Sequence, residues 1–478
     1  MSSKPRIAIV GAGFGGVGTA IALLRAGYDD IVILEAADSV GGVWRENTYP
    51  GCACDIPAPL YSFSFAQNPA WTRRFPPHDE ILAYLRGVAD DAGLQKHLRL
   101  NTAVRSATWD GTARHWVLDT TGGEVVADVL VPATGQLSRP AIPALPGAAE
   151  FAGPAFHTAH WRHDVDLAGK RVAVVGTGAS AIQVVPRIAE EAAHVTVFQR
   201  TPPWTLPKPD REYGPLGRRL RRRFPVLMLP ARLGFWGVTV FTGHAITGNR
   251  AAGAVLRTVS RAQLRLQVRD RELRRRLTPD YPMGCKRVLF TGDWFPTLAR
   301  PDVRLVTRAV AAVLPHAVRS DDGEEHPCDV LVYATGFATT GFLTPMAVHG
   351  VGGVALSDVW RDGAHAYLGM TVPGFPNLFL IYGPNTNTGN TSVLYFEEAQ
   401  AKYVVQAVRA IERGGPLDVR DDVAGAYDDE IQRRLRGSVW TSCTSWYRTA
   451  TGRVVTNWPG LAAEYRRRTR RLNRADFA

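Results

Sequence analysis

Lysine is scarce in this sequence: only six of the 56 basic residues are lysines, so the formal net charge of +12 is carried almost entirely by arginine. The arginine clusters at Arg218 to Arg223, Arg274 to Arg276 and Arg466 to Arg471 are not interleaved with aromatic residues. That excludes a stacking platform for single-stranded nucleic acid, so the clusters read as solvated helix faces rather than as a nucleic-acid footprint. Cysteine is equally sparse. Cys52, Cys54, Cys285, Cys328 and Cys443 form an odd set without metal-ligand spacing. No metal site is expected, and a reducing cytoplasm suits such thiols best. The first residues lack the pattern of a secretory signal.

Long hydrophobic runs are also missing. The most apolar stretch, Phe224 to Ile246, is interrupted by Pro230, Arg232 and several glycines. It falls short of the roughly 20 uninterrupted apolar residues that span a bilayer and reads as a buried helical segment, with no stable membrane insertion and shallow membrane contact left open. No low-complexity tract or short repeat interrupts the 478 residues, a length that suits two or three domains.

What is present begins at the N-terminus. Arg6-Ile-Ala-Ile-Val10 reads as a strand, Gly11-Ala-Gly13-Phe-Gly-Gly16 as a tight turn, Ala20 to Leu24 as helix, and Ile31 to Glu35 as a second strand. In such a unit Gly11 permits the turn, Gly13 admits a pyrophosphate to the backbone, and Gly16 lets helix and strand approach. Glu35, at the end of the second strand, is placed to accept hydrogen bonds from a ribose diol. The same grammar returns at Lys170 to Val175, Gly176-Thr-Gly178-Ala-Ser180-Ala181, a helix through Ile182 and Val185, and the strand Val195 to Phe198. Here no acid closes the unit. Gln199, Arg200 and Thr201 stand in its place, and a guanidinium there suits a 2′-phosphate that a carboxylate would repel. Two dinucleotides are therefore expected, FAD on the first loop and NADPH on the second, with electrons passing between them.

Two further segments echo each other: Asp128-Val-Leu-Val-Pro-Ala-Thr-Gly135 and Asp329-Val-Leu-Val-Tyr-Ala-Thr-Gly336. Each reads as a buried strand ending in a Gly turn, where the chain crosses between domains.

Around these loops the sequence resembles the class B flavoprotein monooxygenases, and among them the Baeyer–Villiger monooxygenases. The resemblance rests on Gly41-Gly42-Val-Trp44, followed by Tyr49-Pro50-Gly51 and Asp55, and on Phe151, Gly153, His157 and Trp161 just before the second Gly loop. Arg162 follows Trp161 where the family usually has Pro or Asp. Further similarity runs through Gly284 to Arg287, Gly383 to Asn387 and Ser445-Trp446-Tyr447, with Asn390 where relatives commonly carry histidine.

The resemblance implies that Arg287 is the permanent cation that stabilises a C4a-peroxyflavin and the oxyanion it forms with a ketone. It further implies that Asp55 orients Arg287, that Lys286 meets the NADPH phosphate or ribose, and that Trp446 hydrogen-bonds the nicotinamide ribose. Gly42, Trp44 and Tyr61 are assigned to the FAD pocket, and Ser180 and Thr201 to the NADPH loop. His157 and Trp161 are expected to act in domain coupling and not as proton donors. Cys52 and Cys54 raise a dithiol reductase as an alternative, but those enzymes space their cysteines more widely, and Trp44 and Tyr49 occupy this region. The expected reaction is oxidation of a ketone by O2 to an ester or lactone. A flavin N- or S-oxygenase acting on amines or sulfides, and a non-catalytic flavin-binding module, stay open.

The expected architecture is α/β, with two Rossmann-like dinucleotide-binding domains and a helical insertion. The FAD domain takes residues 1–150 and 336–478, the NADPH domain 151–209 and 278–335, and a helical subdomain 210–277.

Overall fold

A computed structural model describes residues 4–389 and 391–478; Asn390 lies outside the described residues. Near the N-terminus, β1 (Ile7–Val10), α1 (Phe14–Arg25), β2 (Ile31–Leu34), β3 (Leu98–Arg99) and β4 (Val129–Pro132) build a parallel sheet in the order β3-β2-β1-β4. Every residue of β1 and β4 is buried, as the near-continuous apolar runs of parallel strands require. A second parallel sheet contains β5 (Ala155–His157), β6 (Arg171–Val175) and β7 (His194–Phe198), with the helix α2 (Ala179–Glu191) between β6 and β7. A helical stretch follows, made of α3 (Pro215–Arg223), α4 (Leu229–Ile246) and α5 (Arg250–Gln267). The strands β8 (Val303–Val306) and β9 (Val330–Tyr333) then complete that sheet in the order β8-β7-β6-β9-β5. The chain returns to the first unit through α6 (Leu394–Gly414), which packs on α1. The two Rossmann-like units, each a parallel sheet with its Gly loop and helix, give the α/β fold.

The echoing segments occupy equivalent places in the two sheets. β4 pairs with β1, and β9 with β6. The Asp128 carboxylate accepts the Arg6 backbone N–H at 2.7 Å, and Asp329 accepts that of Arg171 at 2.8 Å. A side chain on Gly11 would run into the Ala133 carbonyl oxygen, and one on Gly176 into that of Ala334. Each Val-Leu-Val strand thus delivers a carbonyl against the first glycine of its loop.

Two expectations fail. The stretch Pro225–Ile246 forms 22 residues of helix and helical turn, long and apolar enough to cross a membrane by length and composition, its most apolar 18-residue window having a mean hydropathy of 1.3. It is not a buried segment: only 22% of that window is buried. Pro230 does not break it, because it lies in the first turn of α4, where a missing N–H costs nothing. The cysteines are also not all free thiols, since Cys285 and Cys443, 158 residues apart, form a disulfide with a Cα–Cα distance of 6.1 Å.

Candidate active site

The first Gly loop is shaped for a ligand. Gly11 has φ +105°, a conformation that favours glycine, and a Cβ on Gly16 would overlap the Gly11 carbonyl oxygen. At Gly13, by contrast, a Cβ would meet only the Gly42 Cα, at 3.8 Å. The space beside Gly13 is therefore free of side chains, and α1 begins there with no side-chain cap and no acidic residue in its first turn. Uncapped N–H groups at a helix start are an anion site, so the loop fits a pyrophosphate. Glu35, buried at the end of β2, accepts the Ala12 and Ala37 N–H groups at 2.7 and 3.0 Å, and Arg45 approaches its Oε1 at 3.4 Å. These contacts hold a carboxylate at the end of β2, beside the first Gly loop.

The Gly41-Gly42 turn docks on this loop through a Gly41 N–H bond to the Ala12 carbonyl, at 3.1 Å. Past it, the Trp44 indole N–H donates to the Tyr61 hydroxyl at 3.0 Å, the two rings standing edge to face 5.4 Å apart. Phe14 of α1 touches the other side of Tyr61, at 5.4 Å.

The second loop repeats the plan with a cationic rim. A Cβ on Gly178 would meet nothing within 4 Å, and α2 also starts without a side-chain cap, with Ser180 in its first turn. Arg200 is exposed beyond β7, and no described carboxylate pairs with it. The Lys286 ammonium donates to the Thr201 hydroxyl at 2.7 Å, and its pKa is pulled down by burial and then by the Arg200 charge. Asp280 offsets this crowding only in part, and two neighbouring cations with neither in an ion pair among the described residues fit a phosphate.

Between the units, Arg287 donates from Nε and Nη2 to Asp55 Oδ2, at 3.0 and 2.6 Å. Their side chains are 29% and 21% exposed. Asp55 holds the guanidinium even more firmly protonated than usual, against the opposing effect of burial. Tyr447 faces this cation; burial pushes its hydroxyl up to about 12, a rise that Arg287 moderates. Trp446, next to it, is 37% exposed and packs against Tyr447 with ring centres 4.2 Å apart and the planes tilted by 47°.

His157 is buried with its pKa lowered to about 4, mainly by desolvation; its Nδ1 accepts the Ala159 N–H, so at neutral pH it is an uncharged cap. Trp161 packs edge to face on Phe156. Cys52 and Cys54 are buried free thiols in separate hydrophobic clusters, with Cys52 pushed up to about 12 by burial. Protonated thiols facing apart cannot act as a dithiol couple.

One residue escaped the reading of the sequence. Glu397, in the first turn of α6, is buried beneath the first loop, where a Cβ on Gly15 would sit 3.5 Å from its Oε1. Its Oε2 has no hydrogen-bond partner among the described residues, and burial raises its pKa to about 8.

Fold and site together define a flavin-dependent oxidoreductase with two dinucleotide loops. The family model described as pyridine nucleotide-disulphide oxidoreductase matches residues 8–216. A Baeyer–Villiger monooxygenase of Streptomyces coelicolor is 42% identical over 477 residues, covering 99% of this chain and 92% of that protein. One from Pseudomonas aeruginosa is 41% identical over 481 residues, covering 99% and 91%. Among solved structures, OTEMO in complex with FAD and NADP superposes with a TM-score of 0.89 at 26% identity, covering all of both chains. Oxidized steroid monooxygenase bound to NADP gives 0.87 at 30% identity, covering 100% of this chain and 99% of the other. The chain belongs to the Baeyer–Villiger monooxygenases.

Proposed function

We propose that this enzyme converts a ketone, O2, NADPH and a proton into an ester or lactone, NADP⁺ and water, and that Arg287, paired with Asp55, is the charge on which the chemistry turns. Enzymes of this family are NADPH-dependent flavoprotein monooxygenases; bound FAD supplies oxygen activation and NADPH the hydride. The observation that carries the reading is the Arg287–Asp55 pair between two loops each fitted to a dinucleotide.

The rest follows from the chain's own groups. Arg287 stays protonated at any working pH, so it offers a fixed cation to negative charge gathering on oxygen at the reacting carbon. Asp55 restrains its Nε and Nη2 and offsets the cost of partly burying the charge. Gly11, Gly13, Gly16, Glu35, Gly42, Trp44 and Tyr61 are proposed to hold FAD. Gly176, Gly178, Ser180, Arg200, Thr201, Lys286 and Trp446 are proposed to hold NADPH, with Arg200 and Lys286 sharing the 2′-phosphate. The FAD-binding part is proposed to take residues 1–150 and 336–478, the NADPH-binding part 151–209 and 278–335, and a helical subdomain 210–277. No nucleic-acid partner is proposed.

The cytoplasm is the proposed compartment, supported by the three free buried thiols; the Cys285–Cys443 bond argues the other way. Thiol counting on the denatured enzyme, before and after reduction, reads that bond directly.

The function is tested by anaerobic NADPH titration followed by aerobic turnover of a ketone panel. Bleaching of the flavin and ester formation support it. Turnover of amines or sulfides with every ketone untouched would make the enzyme a heteroatom oxygenase.

A further inference from the structure

The arginine clusters differ in what they face. Arg468 pairs with Glu430 and Glu464, and Arg275 with Glu272. Around α3, α4 and α5 no such partner exists: between Glu212 and Asp270 the sequence carries eleven arginines and not one acidic residue. Among the described residues, none of those eleven forms an ion pair. Arg221 lies on the Tyr213 ring, 3.5 Å from its centre, while Arg219, Arg222 and Arg223 are exposed.

The same segment holds most of the large apolar side chains that the fold leaves in water. α3 has no buried residue, and its Leu216 is 71% exposed. Val226 is 68% and Leu233 61% exposed. In α4 the buried side is formed by Thr239, Thr242, Gly243 and Ile246. The opposite arc carries Leu229, Leu233, Val238 and Phe241, all exposed, with no Lys, Arg, Asp or Glu among them. Arg232 points away from that arc, bonding the Pro59 carbonyl. A solvent-facing helix side of this composition is anomalous unless something covers it.

We propose that this surface docks on an anionic lipid bilayer, with the apolar arc of α4 and the leucines of α3 entering the headgroup boundary and the unpaired arginines meeting lipid phosphates. Charge complementarity selects this occupant. A second copy would bring the exposed, unpaired Arg219, Arg222 and Arg223 against their own kind, and nucleic acid would leave the leucines, valine and phenylalanine uncovered. Docking is peripheral, since α4 keeps one side packed on α5. The other end of α4 reaches the site: Ile246 lies where a Cβ on Gly284 would meet it at 3.2 Å, three residues before Arg287. The membrane-facing helix therefore abuts the loop that carries the reactive cation.

The test is co-sedimentation of the FAD-loaded enzyme with vesicles of phosphatidylglycerol and phosphatidylcholine in equal parts, against phosphatidylcholine alone. Binding to the mixed vesicles is expected to be at least tenfold tighter and to fall as salt rises. Arg219→Gln/Arg222→Gln/Arg223→Gln and Leu229→Ser/Leu233→Ser should each weaken it at least tenfold while NADPH turnover in solution is unchanged. Failure to bind the mixed vesicles at low salt overturns the proposal. So does equal binding by both variants, tighter binding to a duplex oligonucleotide than to vesicles, or conversion of a wild-type dimer to monomer by the leucine variant with vesicle binding intact.

Discussion

Arg287 and Asp55, 232 residues apart in sequence, meet through a single carboxylate oxygen: both Nε and Nη2 of the guanidinium donate to Oδ2. The pair bridges the segment that follows the first Gly loop and the loop that returns from the helical stretch, so it forms only when the two units are in place.

Arg287→Ala should leave flavin bound and reducible by NADPH but lower ester formation by roughly 10²- to 10³-fold, the usual cost of removing one preorganised charge from a reacting oxygen. Single-turnover product analysis checks this. Ester formation at the wild-type rate removes Arg287 from the mechanism.

Arg200→Ala should raise the NADPH KM by about one to two orders of magnitude, the worth of one charge-assisted contact of ~1.5–3 kcal/mol, with little change for NADH. Steady-state kinetics with both cofactors decide it. Equal effects would show that Arg200 does not read the 2′-phosphate.

The glycines of the first loop should separate folding from binding. In Gly16→Ala the new methyl overlaps the Gly11 carbonyl, so the protein should lose FAD and solubility together. Gly13→Ala meets only Gly42, at 3.8 Å. Its apoprotein Tm should stay within about 2 °C of wild type, while FAD Kd rises at least tenfold because the methyl stands where a phosphate approaches. Thermal scans and FAD titrations of the apoproteins measure both.

How far the sequence revealed all this depended on how local each feature was. The loops, Glu35 and Arg200 were legible from spacing within one βαβ unit, because strand, Gly turn and helix could be read together there. The Arg287–Asp55 contact spans distant segments, so family resemblance alone suggested it. The Cys285–Cys443 bond was invisible for the same reason. Composition placed Phe224 to Ile246 inside the protein, yet hydrophobicity does not say which face finds a neighbour. Glu397 hid beside Glu398: one step along the helix turns the second carboxylate outward, where it accepts the Ser64 N–H at 2.5 Å, and turns the first into the core.

Glu397 makes stability depend on pH with a definite sign. Its folded pKa of about 8 lies above the 4.5 of an ordinary glutamate, so between those values the folded state holds a proton that the unfolded chain has released. Stability from this group is full below pH 4.5 and is lost as pH rises through 8. Apoprotein Tm should therefore fall between pH 5.5 and pH 8.5, and Glu397→Gln should flatten that fall. An unchanged slope in the variant would show that Glu397 is not the titrating group.

The most direct measurement of the central claim is turnover of a ketone with NADPH under ¹⁸O2, followed by mass spectrometry of the product. The account predicts an ester or lactone carrying one ¹⁸O atom for each NADPH consumed, and loss of that product in Arg287→Ala. NADPH consumption that yields only hydrogen peroxide with every ketone, or label appearing only in an amine or sulfide oxide, would contradict it.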